Sequence, residues 1–191
     1  MRFDLFWVLM GRTAYVFAPL YLIPFAYGFA HGDSLAGSFL ALGVLTAILG
    51  MVFGNMGRSH MRQLSVQEGT LFLLAIWFLL AVLGMLPFHL AGLHLSPADT
   101  FFECISALTT TGMTALGESL PPTLLLWRAL MSWFGGLLFV VILVTVLPVV
   151  SGCFGVDFSV RQERLFSPLW NRMTRPMREM MLLYIAITAV A

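Results

Sequence analysis

The sequence contains no lysine, only two cysteines, and few charges of either sign. Charged residues make up 10% of the 191, against about 25% in soluble domains. That shortage of solvated side chains excludes a soluble globular enzyme. Ten arginines against nine carboxylates leave a formal charge of +1, which gives no basic footprint for nucleic acid. Cys104 and Cys153 are too few for a disulfide framework. What the chain has instead is apolar surface: 60% hydrophobic residues and a mean hydropathy of +0.94. The fold class expected is an all-α polytopic membrane protein.

A membrane-crossing helix needs about 20 predominantly apolar residues. Four uncharged stretches qualify: 13–30, where Pro19 and Pro24 should introduce kinks, then 34–57, 69–87 and 129–156. A fifth run, 180–191, has 12 residues and is expected to be the start of another membrane helix cut by the chain end. The first run lacks a small-residue cleavage pattern and precedes another full span, so it reads as a retained helix and not a signal peptide. The connecting segments carry arginine in the order two (Arg2, Arg12), none, two (Arg58, Arg62), none, five (Arg161, Arg164, Arg172, Arg175, Arg178). Under the positive-inside rule this alternation places the N-terminus and the Arg-rich segment in the cytoplasm.

The stretch between the third and fourth spans is too apolar for a solvated loop and too short for two more spans. Ser96-Pro97-Ala98-Asp99 is a strong helix start, with Ser as N-cap, Pro at the first helical position and Asp at the third. The helix should run to Leu108, a length of about 18 Å, roughly half the membrane. It then meets Thr109-Thr110-Thr111-Gly112, where β-branched residues before Gly favour a non-helical path. A short helix followed by an extended return describes a re-entrant pore loop. Such backbone is tolerated at membrane depth only where it is buried in protein or lines a wet cavity. The carbonyl oxygens of Thr109, Thr110, Thr111 and Gly112 could replace a cation's hydration shell, with the negative end of the helix dipole aimed at the same point. No charged side chain is needed for that, and no cofactor is expected.

Phe101-Phe102-Glu103, Ser106 and Thr109-Thr110-Thr111-Gly112, followed by Trp127-Arg128, Trp133-Phe134-Gly135-Gly136 and Leu147-Pro148, resemble the first pore unit of the Trk/Ktr/HKT potassium transporter superfamily. Two spans ahead of that unit make the TrkH-type membrane subunit the better match. The resemblance implies potassium as the transported ion, a pore of four span–loop–span repeats, and Gly112 as the residue that goes with potassium selectivity. It implies location in the bacterial inner membrane, with the filter on the external side. It also implies a cytosolic TrkA-type nucleotide-binding ring as a partner for the Arg-rich segment, whose simpler role is orientation. On this reading 1–62 holds the N-terminus and two accessory spans, and 63–150 one complete repeat. The Arg-rich loop is 151–179, and 180–191 begins the next repeat. The remaining repeats, or further copies of the chain, would complete the pore.

Glu103 is either an interfacial carboxylate or the partner of Arg128 in bracing the filter. Arg128 alone would be a snorkelling residue. Gly135-Gly136 favours close helix approach over a hinge. Trp127 and Trp133 read as interface or packing aromatics, and His89 and His94, spaced five apart, as headgroup-level residues without metal-binding spacing. Cys104 and Cys153 fall on opposite membrane sides and are not expected to bridge. An intramembrane enzyme would need an acid–base or nucleophile constellation that the spans lack. A non-transporting scaffold leaves the capped half-helix without purpose, and a self-assembling tetrameric channel is at odds with the accessory spans.

Overall fold

The structure is a computed structural model that describes residues 4–56, 66–92, 95–116 and 120–153, together with 182, 184–186 and 188. Among these every regular element is helical: α1 (Asp4–Phe17), a 3-10 turn (Ala18–Tyr21), α2 (Leu22–His31), α3 (Ala36–Met56), α4 (Val66–Leu90), α5 (Pro97–Leu108) and α6 (Pro122–Cys153). The chain divides into two compact units, Met1–Gly135 and Gly136–Ala191, and the packing described here belongs to the first. Four helical stretches are long and apolar enough to cross a membrane: Phe6–His31, Ala36–Met56, Leu71–Leu90 and Pro122–Val140. The number of full spans is the number expected. Most of the fifth run lies outside the described residues, and of the Arg-rich segment only 151–153 lie among them.

The helices depart from expectation at the start of the first span, at Pro19, at Pro87 and at Pro122. The first span starts well before Thr13, because nothing in Asp4–Phe17 breaks a helix; Arg12 therefore lies inside α1 with its side chain exposed. The expected break at Pro19 takes the form of a 3-10 turn, while Pro24 falls in the first turn of α2, where a missing N–H costs little. Pro87 does not end the third span: α4 continues through it to Leu90. Pro122 opens α6 at its first residue, a turn or more ahead of the expected start at Ala129.

Two kinds of contact hold the first unit together. α1 and α3 cross at glycine: a Cβ on Gly11 would overlap the Gly54 backbone and lie 2.6 Å from the Gly50 carbonyl oxygen, so the two backbones touch. Further along, Phe17, Tyr21, Phe39 and Trp127 form a buried aromatic core. Tyr21 stacks on Trp127 at a centroid distance of 4.4 Å, and Phe17 and Phe39 each meet Trp127 edge-on at 5.7 Å. α1, the 3-10 turn and α3 are thus packed directly against the start of α6.

Candidate functional site

α5 forms as its sequence dictates. Ser96 adopts extended backbone as N-cap and its Oγ accepts the Asp99 N–H at 3.1 Å, with Pro97 at the first helical position. The Ser96 hydroxyl in turn donates to the Asp99 carboxylate at 2.7 Å. His89 meets the buried Thr100, Nε2 to Oγ1 at 3.2 Å, and so ties the end of α4 to the first turn of α5. Among the described residues no cluster of three or more His, Cys, Asp or Glu could hold a metal ion, and Cys104 is a buried free thiol. His94 and the Cys153 side chain lie outside the described residues.

The helix end is built from main chain. The Thr109 N–H donates to the Ile105 carbonyl at 2.8 Å and the Thr110 N–H to Ala107 at 3.0 Å. Thr111 and Gly112 both donate to the Ser106 carbonyl, at 3.0 and 3.4 Å. A trans peptide holds the carbonyl of one residue opposite the N–H of the next, and no peptide among the described residues is cis. Because the N–H groups of Thr110, Thr111 and Gly112 turn back onto α5, the carbonyls of Thr109, Thr110 and Thr111 turn away from it. None of those oxygens, nor that of Gly112, accepts a hydrogen bond from a described residue. The path is not the extended one that three β-branched residues suggest. Thr109 has φ −80°, Thr110 +56° and Gly112 +78°, so left-handed residues are interposed. A threonine at positive φ is an outlier that costs on the order of 1–3 kcal/mol and persists only where its surroundings enforce it.

Those surroundings centre on Glu103, which is fully buried. Its Oε1 accepts from Arg128 Nε, and its Oε2 accepts the Thr114 hydroxyl and the Ala115 N–H, both at 3.0 Å. Arg128 Nη2 also donates to the Met113 carbonyl at 3.3 Å, and the Ser106 hydroxyl donates to the same oxygen at 2.6 Å. The return segment 113–115 is therefore pinned to α5 and α6 from both sides, while the carbonyls just before it stay unengaged. Behind the loop, Ser132 Oγ donates to the Ala107 carbonyl at 3.0 Å. One turn on, a Cβ at Gly135 would overlap the Leu108 carbonyl, so α6 meets the end of α5 backbone to backbone. The structure brings Glu103 and Arg128 together and sets Thr109–Gly112 beside them.

A model of the TrkH family, described as cation transport protein, matches residues 37–191. The chain belongs to this family. TrkH-family relatives include the Trk system potassium uptake protein TrkH of Escherichia coli K12, 28% identical over 98% of this chain and 40% of that protein. The protein of the same name from Vibrio parahaemolyticus is 31% identical over 75% of this chain and 30% of its own length. The crystal structure of the potassium transporter TrkH from Vibrio parahaemolyticus superimposes with a TM-score of 0.82 at 26% identity, covering 100% of this chain and 38% of that one. This TrkH-family chain thus spans about two-fifths of the length of the relatives it matches. It is a multi-pass membrane protein of a transport family, not of an enzyme class.

Sequence reasoning passes over several residues that the TrkH-type fold relies on here. The Gly11, Gly50 and Gly54 contact carries a signal, since Gly50 and Gly54 lie one turn apart on α3, but their partner on α1 lies 39 or more residues upstream. Tyr21, whose hydroxyl donates to the Leu83 carbonyl at 2.8 Å, carries no local signal at all.

Proposed function

We propose that this chain supplies the first pore repeat of a potassium uptake subunit. In it the carbonyl oxygens of Thr109, Thr110, Thr111 and Gly112 form one quarter of a selectivity filter, with potassium as substrate and no resident cofactor. The observation that carries the proposal is the direction of three consecutive peptide groups. Their N–H ends are consumed by the end of α5 and their oxygens face away from it, at the negative pole of that helix. Dehydrating a cation requires several such oxygens held at fixed spacing. Glu103 and Arg128 serve this purpose by fixing the return segment and do not touch the ion. α5 enters the membrane as a re-entrant half-helix from the external side, within a repeat spanning 63–150. The N-terminus and the Arg-rich segment face the cytoplasm of a bacterial inner membrane, where a TrkA-type nucleotide-binding ring is the partner.

The test is Gly112→Ser in a complete subunit carrying this segment. Gly112 sits at φ +78°, where a side chain is strained, and a serine there distorts the spacing of the carbonyls on either side. α5 itself is untouched, so expression should hold while the preference for rubidium over sodium falls by roughly tenfold, the equivalent of about 1.4 kcal/mol of lost discrimination. Competitive rubidium uptake in sodium, normalised to protein level, reads this directly. Unchanged discrimination at normal expression would remove Thr109–Gly112 as the filter.

A further inference from the structure

α4 contains Pro87 three residues before its end. Proline has no N–H, so the Leu83 carbonyl four residues back cannot receive its helical hydrogen bond, and the proline ring crowds the same oxygen. In hydrocarbon no water is at hand to replace that donor. The Tyr21 hydroxyl replaces it, donating to the Leu83 carbonyl at 2.8 Å in a buried bond between residues 62 apart. One residue further on, Trp127 Nε1 donates to the Gly84 carbonyl at 2.9 Å. The two donors are stacked on each other, so a pair of aromatic rings from the 3-10 turn and from α6 is seated on two successive carbonyls at the proline break. This accounts for the continuation of α4 through Pro87.

The break lies where α4 meets the helix that bears the candidate oxygens. A Cβ at Gly84 would lie 3.6 Å from Cys104 Sγ on α5. Two residues beyond the proline, His89 bonds Thr100 in the first turn of α5. The angle of α4 at Pro87 therefore sets where α5 is held, at its first turn and near its middle.

We infer that Tyr21 is a positioning residue for ion discrimination: its hydroxyl stands in for the N–H that Pro87 withholds, and thereby couples the first accessory span to the filter-bearing helix. This rests on the reading of Thr109–Gly112 as the filter. Its chemical content is a substitution of one donor for another, and that makes it separable from ordinary packing. Tyr21→Phe keeps the ring and its stacking on Trp127 but removes the donor. Pro87→Ala restores a backbone N–H for Leu83, so the tyrosine hydroxyl should matter with Pro87 in place and cease to matter in the Pro87→Ala background.

The experiment is a double-mutant cycle of Tyr21→Phe and Pro87→Ala in a complete subunit carrying this segment. It is read by rubidium-over-sodium discrimination and by melting temperature in detergent. With Pro87 in place, Tyr21→Phe should lower discrimination by roughly five-fold, as loss of one buried hydrogen bond implies, and lower the melting temperature. In the Pro87→Ala background, the same change should have little effect on either. If Tyr21→Phe alone fails to accumulate, recovery of the double variant supports the inference and its continued failure overturns it. Equal effects of Tyr21→Phe in both backgrounds, or no effect with Pro87, overturn it as well. Coupling seen in melting temperature but absent from discrimination overturns the link to the filter while leaving the donor substitution intact. Failure of the filter reading itself is recognised separately, by Gly112→Ser retaining discrimination.

Discussion

α2 and α5 are each followed within two residues by a left-handed residue, and near each a carboxylate reaches across to α6, yet the two ends are built to different standards. α2 stops at Gly32, φ +67°, where no side chain opposes the conformation, and its last turn is closed by the Gly32 and Asp33 N–H groups. Asp33 then takes the Leu35 N–H at 3.0 Å and the Thr123 hydroxyl, within reach of solvent. α5 is followed, after Thr109, by a threonine at φ +56°, draws four successive N–H groups back onto its end, and is braced by Glu103, buried and paired with Arg128. A helix that only has to turn uses the residue for which turning costs least. The end of α5 retains a strained residue and a buried ion pair, and the result is a row of carbonyls held away from every local donor. Strain maintained by buried polar groups is the mark of a position where geometry matters more than stability.

The ion pair offers the most forceful way to break this contrast. Arg128→Ala leaves Glu103 buried without its charged partner and removes a donor to Met113. Breaking one side of a buried pair costs about 3–5 kcal/mol; because Arg128 is 28% exposed, the lower end is expected. A complete subunit carrying the change should melt much earlier in detergent and lose most of its rubidium uptake. A melting temperature within a degree or so of wild type would show that Glu103 is satisfied by Thr114 and Ala115 alone.

A pair of opposite substitutions sharpens the contrast at the left-handed residues themselves. Gly32→Ala places a Cβ at a position chosen for having none and should destabilise by about 1 kcal/mol, with discrimination unchanged. Thr110→Gly relieves strain while loosening the unfolded chain by about 1 kcal/mol, so stability should hold or rise by up to about 2 kcal/mol. Discrimination should nevertheless fall, because glycine no longer restricts the carbonyls of Thr109 and Thr110 to one direction. Melting curves and competitive uptake measured side by side decide it. A Thr110→Gly variant that keeps its discrimination would mean that the threonine at φ +56° is incidental.

What can be read in advance follows the range of the interactions concerned. Ser96, Pro97 and Asp99 announce α5 because capping is settled within four residues, and the helix ends at Leu108 where the threonines begin. Glu103 and Arg128 can be named as candidate partners because buried charge is rare in so apolar a chain, although their separation of 25 residues leaves the pairing open. The turn of the carbonyls is legible only in part: β-branched residues suggest extended backbone, whereas hydrogen bonding to the end of α5 imposes a left-handed Thr110. Pro87 misleads as a terminus for an opposite reason. Its local chemistry does break a helix, and the donor that repairs the break lies on another span.

The smallest expected effect tests the solvated end of the comparison. The Leu35 N–H, and then the Thr123 hydroxyl, hold the Asp33 carboxyl below its ordinary value of 3.8. A carboxyl whose pKa is depressed by folding stabilises the folded state fully above the unfolded value. That stabilisation fades as pH falls through the lower, folded value. Asp33→Asn keeps an oxygen for the Leu35 N–H but cannot ionise, so it should melt slightly below wild type at pH 6. The difference should be on the order of 1 °C, since contacts open to solvent contribute little. The two melting curves should draw together as pH falls below the ordinary carboxyl value of 3.8, the wild type moving and the variant staying level. A gap that persists unchanged through that range would mean that the carboxylate charge does nothing at the end of α2. In that case the Thr123 bond would hold α2 to α6 as a neutral contact, and only the end of α5 would depend on charge.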